Sequence, residues 1–484
     1  EQEFGSAPKT LIIIGTAPTK DGGSCASRLL KTEWRSVAQR HLPQDLQSSH
    51  RAKLVNELSE LSAGSCVCLR ETAVSESQEA VRDWLGEQLT DCLRRDVTVC
   101  IECEPSTSSE RAAQGVAERP LAAGLSLVPS FRLARETTQD ATNGEDSSRP
   151  ETSTRGSAAA EECAVIKIPQ DVWLRVRGRE LFNLSASTEL TIAWPKTEHY
   201  PSELIERLPP RSVCDLVAAR RALAERMQPA FPANKPYEHR LTNGSLIIVG
   251  GGGAPTEIWQ KFISLAGGES ARIVILPTAV PEPEADASEA RILERLGVRQ
   301  VRVLPQIDHD EVGSPEYLEN LRWATGVWFG GGRQWRFVDA YWGTPAWDAI
   351  IDVVRRGGVI GGSSAGATIQ GDLLVRGHPL GNHVMVADGY RRGLGLLPGV
   401  AIDQHFRQRN RFEDLAGVVQ RFPQLLGIGI DEATALVVEA PDKCSVLGEG
   451  SVWLSYPQNS PRQFVERTTG STFNLNAPPD AKRP

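Results

Sequence analysis

The sequence predicts an α/β protein with a mostly parallel sheet flanked by helices, present as two diverged tandem copies. Two observations carry this prediction. From Ser245 onward, short apolar runs alternate with amphipathic stretches, which is the pattern of βαβ units feeding a parallel sheet. In addition, much of the first half lies over the second at near-constant offsets, the mark of an internal repeat.

In the second half, "SLIIVGGGG" reads as a buried strand entering a glycine turn, and "TEIWQKFISLAGG" as an amphipathic helix with a glycine stop. "ARIVILPTA" is the next strand and "EADASEARILERLG" the next helix. "VRQVRVLPQ", "PEYLENLRWA", "GVWFGGG", "PAWDAIIDVVRRGG" and "VIGGSSAG" continue the alternation. Gly427–Glu439 and Ser445–Tyr456 read as later strands. In the first half, Thr16 falls on Thr278 and Leu42 on Leu304, both 262 positions apart. Asp91 falls on Asp352 at an offset of 261, and Gly124 on Gly393 at 269. The first copy enters at what corresponds to the second strand, so its first βα unit is absent from this sequence.

Composition bounds the class. With 484 residues, two or three domains are expected. Forty per cent hydrophobic and 24 per cent charged residues suit a soluble globular protein. The net charge of −8 leaves no basic footprint for nucleic acid, and no apolar run is long enough for a membrane span. The chain starts at Glu1 with no apolar leader before its first strand, so a mature product or a fragment is expected and the compartment stays open. Nine cysteines, an odd number, do not make a disulfide framework. Cys100 and Cys103 have redox spacing, with Cys66 and Cys68 upstream. No histidine stands near them at ligand spacing, so small buried strand residues are the better account.

The stretch "VIGGSSAGATI", Val359 to Ile369, embeds serine among glycine and alanine. A nucleophilic serine must be exposed on a sharp strand-to-helix turn, and that turn tolerates only small neighbours. Gly362-Ser363-Ser364-Ala365-Gly366 fits. The backbone N–H of Ala365 and the following helix start would then face a developing oxyanion. A glycine-rich helix cap is the bland alternative. The base must come from elsewhere, and His378, His383 and His405 follow Ser364. His405 stands among Asp403, Gln404, Arg407, Arg409 and Arg411, a cationic pocket wall or a solvated face. An orienting carboxylate is required. "GIGIDEATAL" offers Asp431 and Glu432 at a strand end, and Asp403 is a third choice. "VWFGGGRQ", one βα unit before Ser364, supplies glycines whose N–H groups can approach an oxyanion.

Together these pieces resemble the serine peptidase family of cyanophycinase and the α-aspartyl dipeptidases. The carrying residues are Phe329-Gly330-Gly331-Gly332-Arg333-Gln334, Gly362 through Ala367, Asp403-Gln404-His405-Phe406 with Arg409 and Arg411, and Gly429-Ile430-Asp431-Glu432. The likeness covers about Gly244 to Pro457, and "DQHF" points to the cyanophycinase branch. It implies a fold like class I glutamine amidotransferase domains. It implies Ser364 as nucleophile, His405 as base and Glu432 as orienting acid, with Gly332 and Ala365 as oxyanion donors. Gln334, Asp403, Gln404, Arg409 and Arg411 would line the substrate pocket. The implied reaction is hydrolysis of aspartyl bonds, of the β-aspartyl-arginine type found in cyanophycin, with no metal or cofactor. The implied partner is a peptide or isopeptide substrate.

Two positions depart from the family pattern. Arg333 stands where aspartate is usual, and Asp414 where cyanophycinase has a further pocket arginine. In the first copy, Cys103 falls at Ser364, Glu136 at His405 and Ala134 at Asp403, which leaves no elbow and no base. The expected organisation is therefore a degenerate copy over 1–195 with a disordered loop at about 137–161, a helical connector over 196–240, a catalytic domain over 241–459 and a tail over 460–484. The two copies are expected to pack as an intrachain pseudo-dimer, with further oligomers open. A serine esterase is a competing reading, but that fold places its acid before its histidine. A scaffold protein with a relic site is another.

Overall fold

The computed structural model describes residues 179–183, 185–457 and 462–476, together with nine strands between residues 11 and 177. The expected disordered loop lies outside these residues. The chain divides into two compact units, Glu1–Pro229 and Ala230–Pro484.

Among the described residues the first unit carries thirteen strands: β1 (Leu11–Gly15), β2 (Val37–His41), β3 (Cys66–Glu71), β4 (Ala73–Val74), β5 (Thr98–Cys103), β6 (Arg119–Pro120), β7 (Phe131–Arg135), β8 (Ala164–Ile168), β9 (Trp173–Arg177), β10 (Glu180–Asn183), β11 (Leu190–Trp194), β12 (Leu204–Leu208) and β13 (Val213–Asp215). Seven form one sheet in the order β2-β1-β3-β5-β9-β10-β13, parallel as far as β5 and antiparallel beyond. Four form a second sheet, β7-β8-β11-β12.

The second unit begins its sheets with β14 (Ser245–Val249), β15 (Arg272–Leu276), β16 (Gln300–Val303), β17 (Gly326–Phe329), β18 (Val359–Ser363) and β19 (Gly371–Leu373). It continues with β20 (Leu397–Gln404), β21 (Leu426–Ile430), β22 (Thr434–Glu439), β23 (Lys443–Gly448), β24 (Ser451–Ser455), β25 (Val465–Thr468) and β26 (Thr472–Asn474). The larger sheet runs β16-β15-β17-β18-β14-β22-β23-β26, and its first five strands are mutually parallel. The smaller runs β19-β20-β21-β24-β25. With β14 set aside, both sheets of this unit match the two larger sheets of the first in strand order, apart from the extra edge strand β19 and the first unit's small β4-β6 pair.

The inner parallel strands β14, β15 and β17 are apolar over most of their length because both faces are covered, whereas the edge strand β16 is half polar. Ile247, Val249, Ile273 and Ile275 join Ile258, Trp259 and Phe262 of helix Thr256–Leu265 and Leu293 of helix Ser288–Arg295 in one cluster. Their neighbours Leu246, Ile248 and Val274 point to the opposite face and are equally buried. Each such side chain contributes about 1.5–3 kcal/mol.

Three expectations need correction. The segment 196–240 is helical only over Leu216–Arg226, where Asp215 accepts the cap hydrogen bond from Ala218 N–H. Its β12 and β13 belong to the first unit's sheets, and the unit ends at Pro229. The expected tail carries β25 and β26, which pair with β24 and β23. These edge strands are short and mostly polar, so no apolar run announces them. Finally, the two late strands are four. Gly427–Glu439 breaks at Asp431–Ala433 and Ser445–Tyr456 breaks at Glu449–Gly450, and at both breaks the chain passes from one sheet to the other.

Among the described residues no helix is long and apolar enough to cross a membrane.

Candidate active site

The carboxyl ends of β18, β20 and β21 converge on one place, supplied by both sheets. Ser364 follows the last residue of β18 and caps the short helix Ala365–Thr368. Its φ of 56° and ψ of −109° lie outside the regular regions, a conformation that costs on the order of 1–3 kcal/mol. Its surroundings impose it. Ser364 N–H donates to Val249 O at 3.0 Å, and Ser364 O accepts from Ala367 N–H at 3.0 Å. A methyl group on Gly362 would lie 2.3 Å from Gly366 O, and one on Gly366 the same distance from Phe329 O. The glycines therefore serve the tight return of the backbone that lifts Ser364 from the strand end.

Ser364 Oγ lies 2.9 Å from His405 Nε2. On the far side of the ring, Nδ1–H donates to Glu432 Oε1 at 2.5 Å. A carboxylate on Nδ1 leaves Nε2 as the acceptor for the serine proton. Burial pushes the His405 pKa below its ordinary value, and Arg409 and Arg411 push the same way against the pull of Glu432.

The other two candidate acids are committed elsewhere. Asp431 is fully buried; Oδ1 accepts from Arg407 N–H and Trp453 Nε1–H, and Oδ2 from Ser451 N–H. It ties the crossover between sheets. Asp403 is also fully buried, its carboxylate held by Arg376, Arg411 and Gln404 N–H.

The expected pocket residues divide by exposure. Gln404 reaches the serine, its Oε1 lying 3.5 Å from Ser364 Oγ. Arg409 is exposed; its backbone N–H donates to His405 O at 3.0 Å, while its guanidinium makes no hydrogen bond or ion pair among the described residues. Gln334, Asp403 and Arg411 were expected to touch substrate, yet their polar groups face inward. Gln334 Nε2 donates to Val375 O and Arg376 O at 2.8 and 2.9 Å. Arg411 Nη1 donates to Asp403 Oδ1 and Gln404 O. Asp403 and Arg411 brace the segment that ends in Gln404 and His405, and Gln334 holds the backbone at Val375 and Arg376. Arg333 donates to His378 O at 2.8 Å.

Neither expected oxyanion donor, Gly332 nor Ala365, has a backbone N–H with an acceptor among the described residues. Gly331 is the glycine beside the serine, since a methyl group on it would lie 3.8 Å from Ser364 Cβ.

Two features escaped the sequence reading. Arg376 is buried and links Asp403 to Asp414, donating to Asp414 Oδ2 at 2.6 Å. A lone arginine in "LLVRGHP" signals nothing locally; only the unpaired Asp403 and Asp414 ask for a cation. The other feature is Gly250–Gly252, which packs against His405 and Glu432. Its four-glycine run was visible in the sequence as a turn. Among the described residues no group of three or more His, Cys, Asp or Glu is placed to hold a metal ion.

Residues 243–444 match the model of Peptidase family S51. Cyanophycinase of Trichormus variabilis (strain ATCC 29413 / PCC 7937) is 35% identical over 226 residues, covering 45% of this chain and 75% of that protein. Cyanophycinase of Synechococcus elongatus is 33% identical over 250 residues, covering 50% of this chain and 76% of that protein. A solved peptidase from an acI-B1 Actinobacterium aligns with 49% of this chain and 98% of its own at 25% identity and a TM-score of 0.38. The chain belongs to peptidase family S51 and is a serine-type peptidase.

Proposed function

We propose that the chain hydrolyses aspartyl bonds, of the β-aspartyl-arginine isopeptide type, through a Ser364–His405–Glu432 triad. The unbroken relay of 2.9 and 2.5 Å from Ser364 through His405 to Glu432 carries this reading. Ser364 Oγ attacks the scissile carbonyl while His405 Nε2 takes its proton. Glu432 stabilises the imidazolium that forms. The tetrahedral oxyanion is met by the N–H groups of Ala365 and Gly332. His405 returns the proton to the leaving amine, and water then attacks the acyl-enzyme by the same route in reverse. Exposed Arg409 beside the relay suits a substrate carboxylate, which a guanidinium holds in two-point fashion. The relatives named cyanophycinase support the choice of substrate.

The test is hydrolysis of cyanophycin, β-Asp-Arg isopeptides and α-aspartyl dipeptides by the full chain, each beside Ser364→Ala. Release of β-Asp-Arg that vanishes in the variant is expected. Turnover of only another aspartyl bond would assign the pocket a different substrate. Absence of both Ser364-dependent turnover and labelling by a serine-reactive phosphonate would leave the relic-site reading.

We also infer that residues 1–229 hold a diverged, non-catalytic copy of the peptidase fold. The matched strand orders of the two units and the near-constant sequence offsets support it. The copy lacks a counterpart of β14 between β5 and β9, which pair directly. Phosphonate labelling is expected to stop at one adduct per chain, lost in Ser364→Ala. A second adduct on the first unit would overturn the assignment.

A further inference from the structure

Strand β14 runs into four consecutive glycines, Gly250 to Gly253, and none of them takes part in the proposed reaction. Gly250 O accepts the His405 N–H at 2.7 Å, and Gly251 O accepts the Ala433 N–H at 2.8 Å. A methyl group on Gly251 would lie 2.3, 2.6 and 2.9 Å from Cε1, Nε2 and Nδ1 of His405. One on Gly252 would lie 2.7 Å from Glu432 Cβ and 2.9 Å from Oε2. The bare backbone of this loop is therefore a wall against which both the imidazole and the carboxylate side chain rest.

Both partners need such a wall. His405 has a φ of 50° and stands just past the end of β20, so no regular ladder holds it. The Glu432 side chain is 35% exposed and lies in the crossover between two sheets. Without an outside support each would sample rotamers that open the 2.9 or the 2.5 Å contact.

We propose that Gly251 and Gly252 are positioning residues: the loop backbone sets the plane of the His405 ring and the reach of Glu432, and so the alignment of the pair with Ser364. This rests on the triad reading. Among the described residues the first unit has no strand in the place of β14, where such a loop would start, because β5 pairs directly with β9.

The chain contains its own control. Gly251 and Gly253 both adopt left-handed conformations, with φ of 97° and 91°, but a methyl group on Gly253 meets nothing within 4 Å. Alanine at either site strains the backbone alike, and only at Gly251 does it press on the imidazole. The experiment compares Gly251→Ala, Gly252→Ala and Gly253→Ala in the full chain with wild type and Ser364→Ala. It reads kcat and KM on an aspartyl isopeptide, and the His405 titration by NMR.

A displacement of about 1 Å in a catalytic group costs on the order of 100-fold. Gly251→Ala is expected to lose kcat by about that factor, with KM within about threefold and the His405 titration shifted. Gly253→Ala is expected to keep kcat within about threefold of wild type. Equal losses in Gly251→Ala and Gly253→Ala would reduce the effect to backbone strain and overturn the proposal. So would an unchanged kcat and titration in Gly251→Ala. If Gly251→Ala does not fold, Gly252→Ala decides. Its added methyl would lie 2.7 Å from Glu432 Cβ and 2.9 Å from Oε2, pressing on the acid and not directly on the ring, and loss of kcat with a shifted His405 titration is expected. A wild type without Ser364-dependent turnover would sink the triad reading instead, and the NMR titration would still report whether the loop holds the ring.

Discussion

Arg376 and Asp403 form a buried two-point ion pair, Nε to Oδ1 and Nη2 to Oδ2, each at 3.0 Å. Their side chains are 6% and 0% exposed. The pair ties the segment after β19 to β20, two residues before His405. Without Arg376 the Asp403 carboxylate keeps Arg411 and Gln404 N–H, so the cost stays below the roughly 3–5 kcal/mol of a fully broken buried pair. Arg376→Met is expected to lower the unfolding free energy in urea by about 2–3 kcal/mol. Asp414 is Arg376's other partner, 51% exposed, and water replaces much of what the pair supplies. Asp414→Asn is therefore expected to cost about 1 kcal/mol or less. Equal losses would contradict this ranking by burial.

Glu432→Gln keeps the size of the side chain and removes its charge. The amide can offer its N–H to Nδ1, which selects the tautomer with a proton on Nε2 and leaves the serine without an acceptor. The imidazolium of the transition state also loses its counter-charge. A fall in kcat of about 1,000- to 10,000-fold is expected, with KM little changed. Asp431→Asn should behave differently, since Asp431 anchors Ser451 and Trp453 rather than the imidazole; it is expected to lower Tm before it lowers kcat per folded molecule. A larger kcat loss from Asp431→Asn than from Glu432→Gln would reassign the triad acid.

Two glycines of this unit should respond to alanine in opposite directions. At Gly362 the added methyl would stand 2.3 Å from backbone oxygen of Gly366, and backbone cannot step aside as a side chain can. Loss of stability and of Ser364 labelling is expected together, by thermal melting and phosphonate reaction. Gly417 lies exposed in helix Phe412–Arg421 with nothing within 4 Å of the added carbon. There alanine removes unfolded-state entropy, and a gain of about 0.5–1 kcal/mol is expected with activity unchanged.

The elbow and the alternating βα units were legible because their causes are local. A glycine-flanked serine after an apolar run needs only its neighbours to be recognised, and parallel strands buried on both faces are apolar throughout. The choice among Asp403, Asp431 and Glu432 was not legible from residue types, because all three are carboxylates near strand ends. Their roles depend on partners far away in sequence: Arg376 and Arg411 for Asp403, Trp453 and Ser451 for Asp431, His405 for Glu432. The change of sheet at Asp431–Ala433 was hidden for a related reason. Strands β21 and β22 are both apolar, and Ala433, at a φ of 52°, does not advertise a turn as glycine would. Gln334, Asp403 and Arg411 read as pocket residues because polar residues near a nucleophile suggest substrate contact. Paired with one another and with backbone carbonyls, the same residues build the floor beneath it.

If His405 is the base of the proposed triad, its protonation sets the acid limb of the reaction. Burial disfavours the imidazolium and places its pKa below the ordinary value of 6.5, with Arg409 and Arg411 adding to the effect. The base is therefore neutral and competent at neutral pH, and the midpoint of the acid limb should fall below 6.5. The same depression makes a contribution to stability that is present above the ordinary value and lost as pH falls through the lower folded value. Arg409→Ala removes one of the cations that oppose the imidazolium, so the limb is expected to move to higher pH. Phosphonate labelling of Ser364 across pH is the suitable measurement, because it needs the serine and its base but no substrate carboxylate. An unmoved or lowered midpoint in Arg409→Ala would show that Arg409 does not act on His405 through its charge.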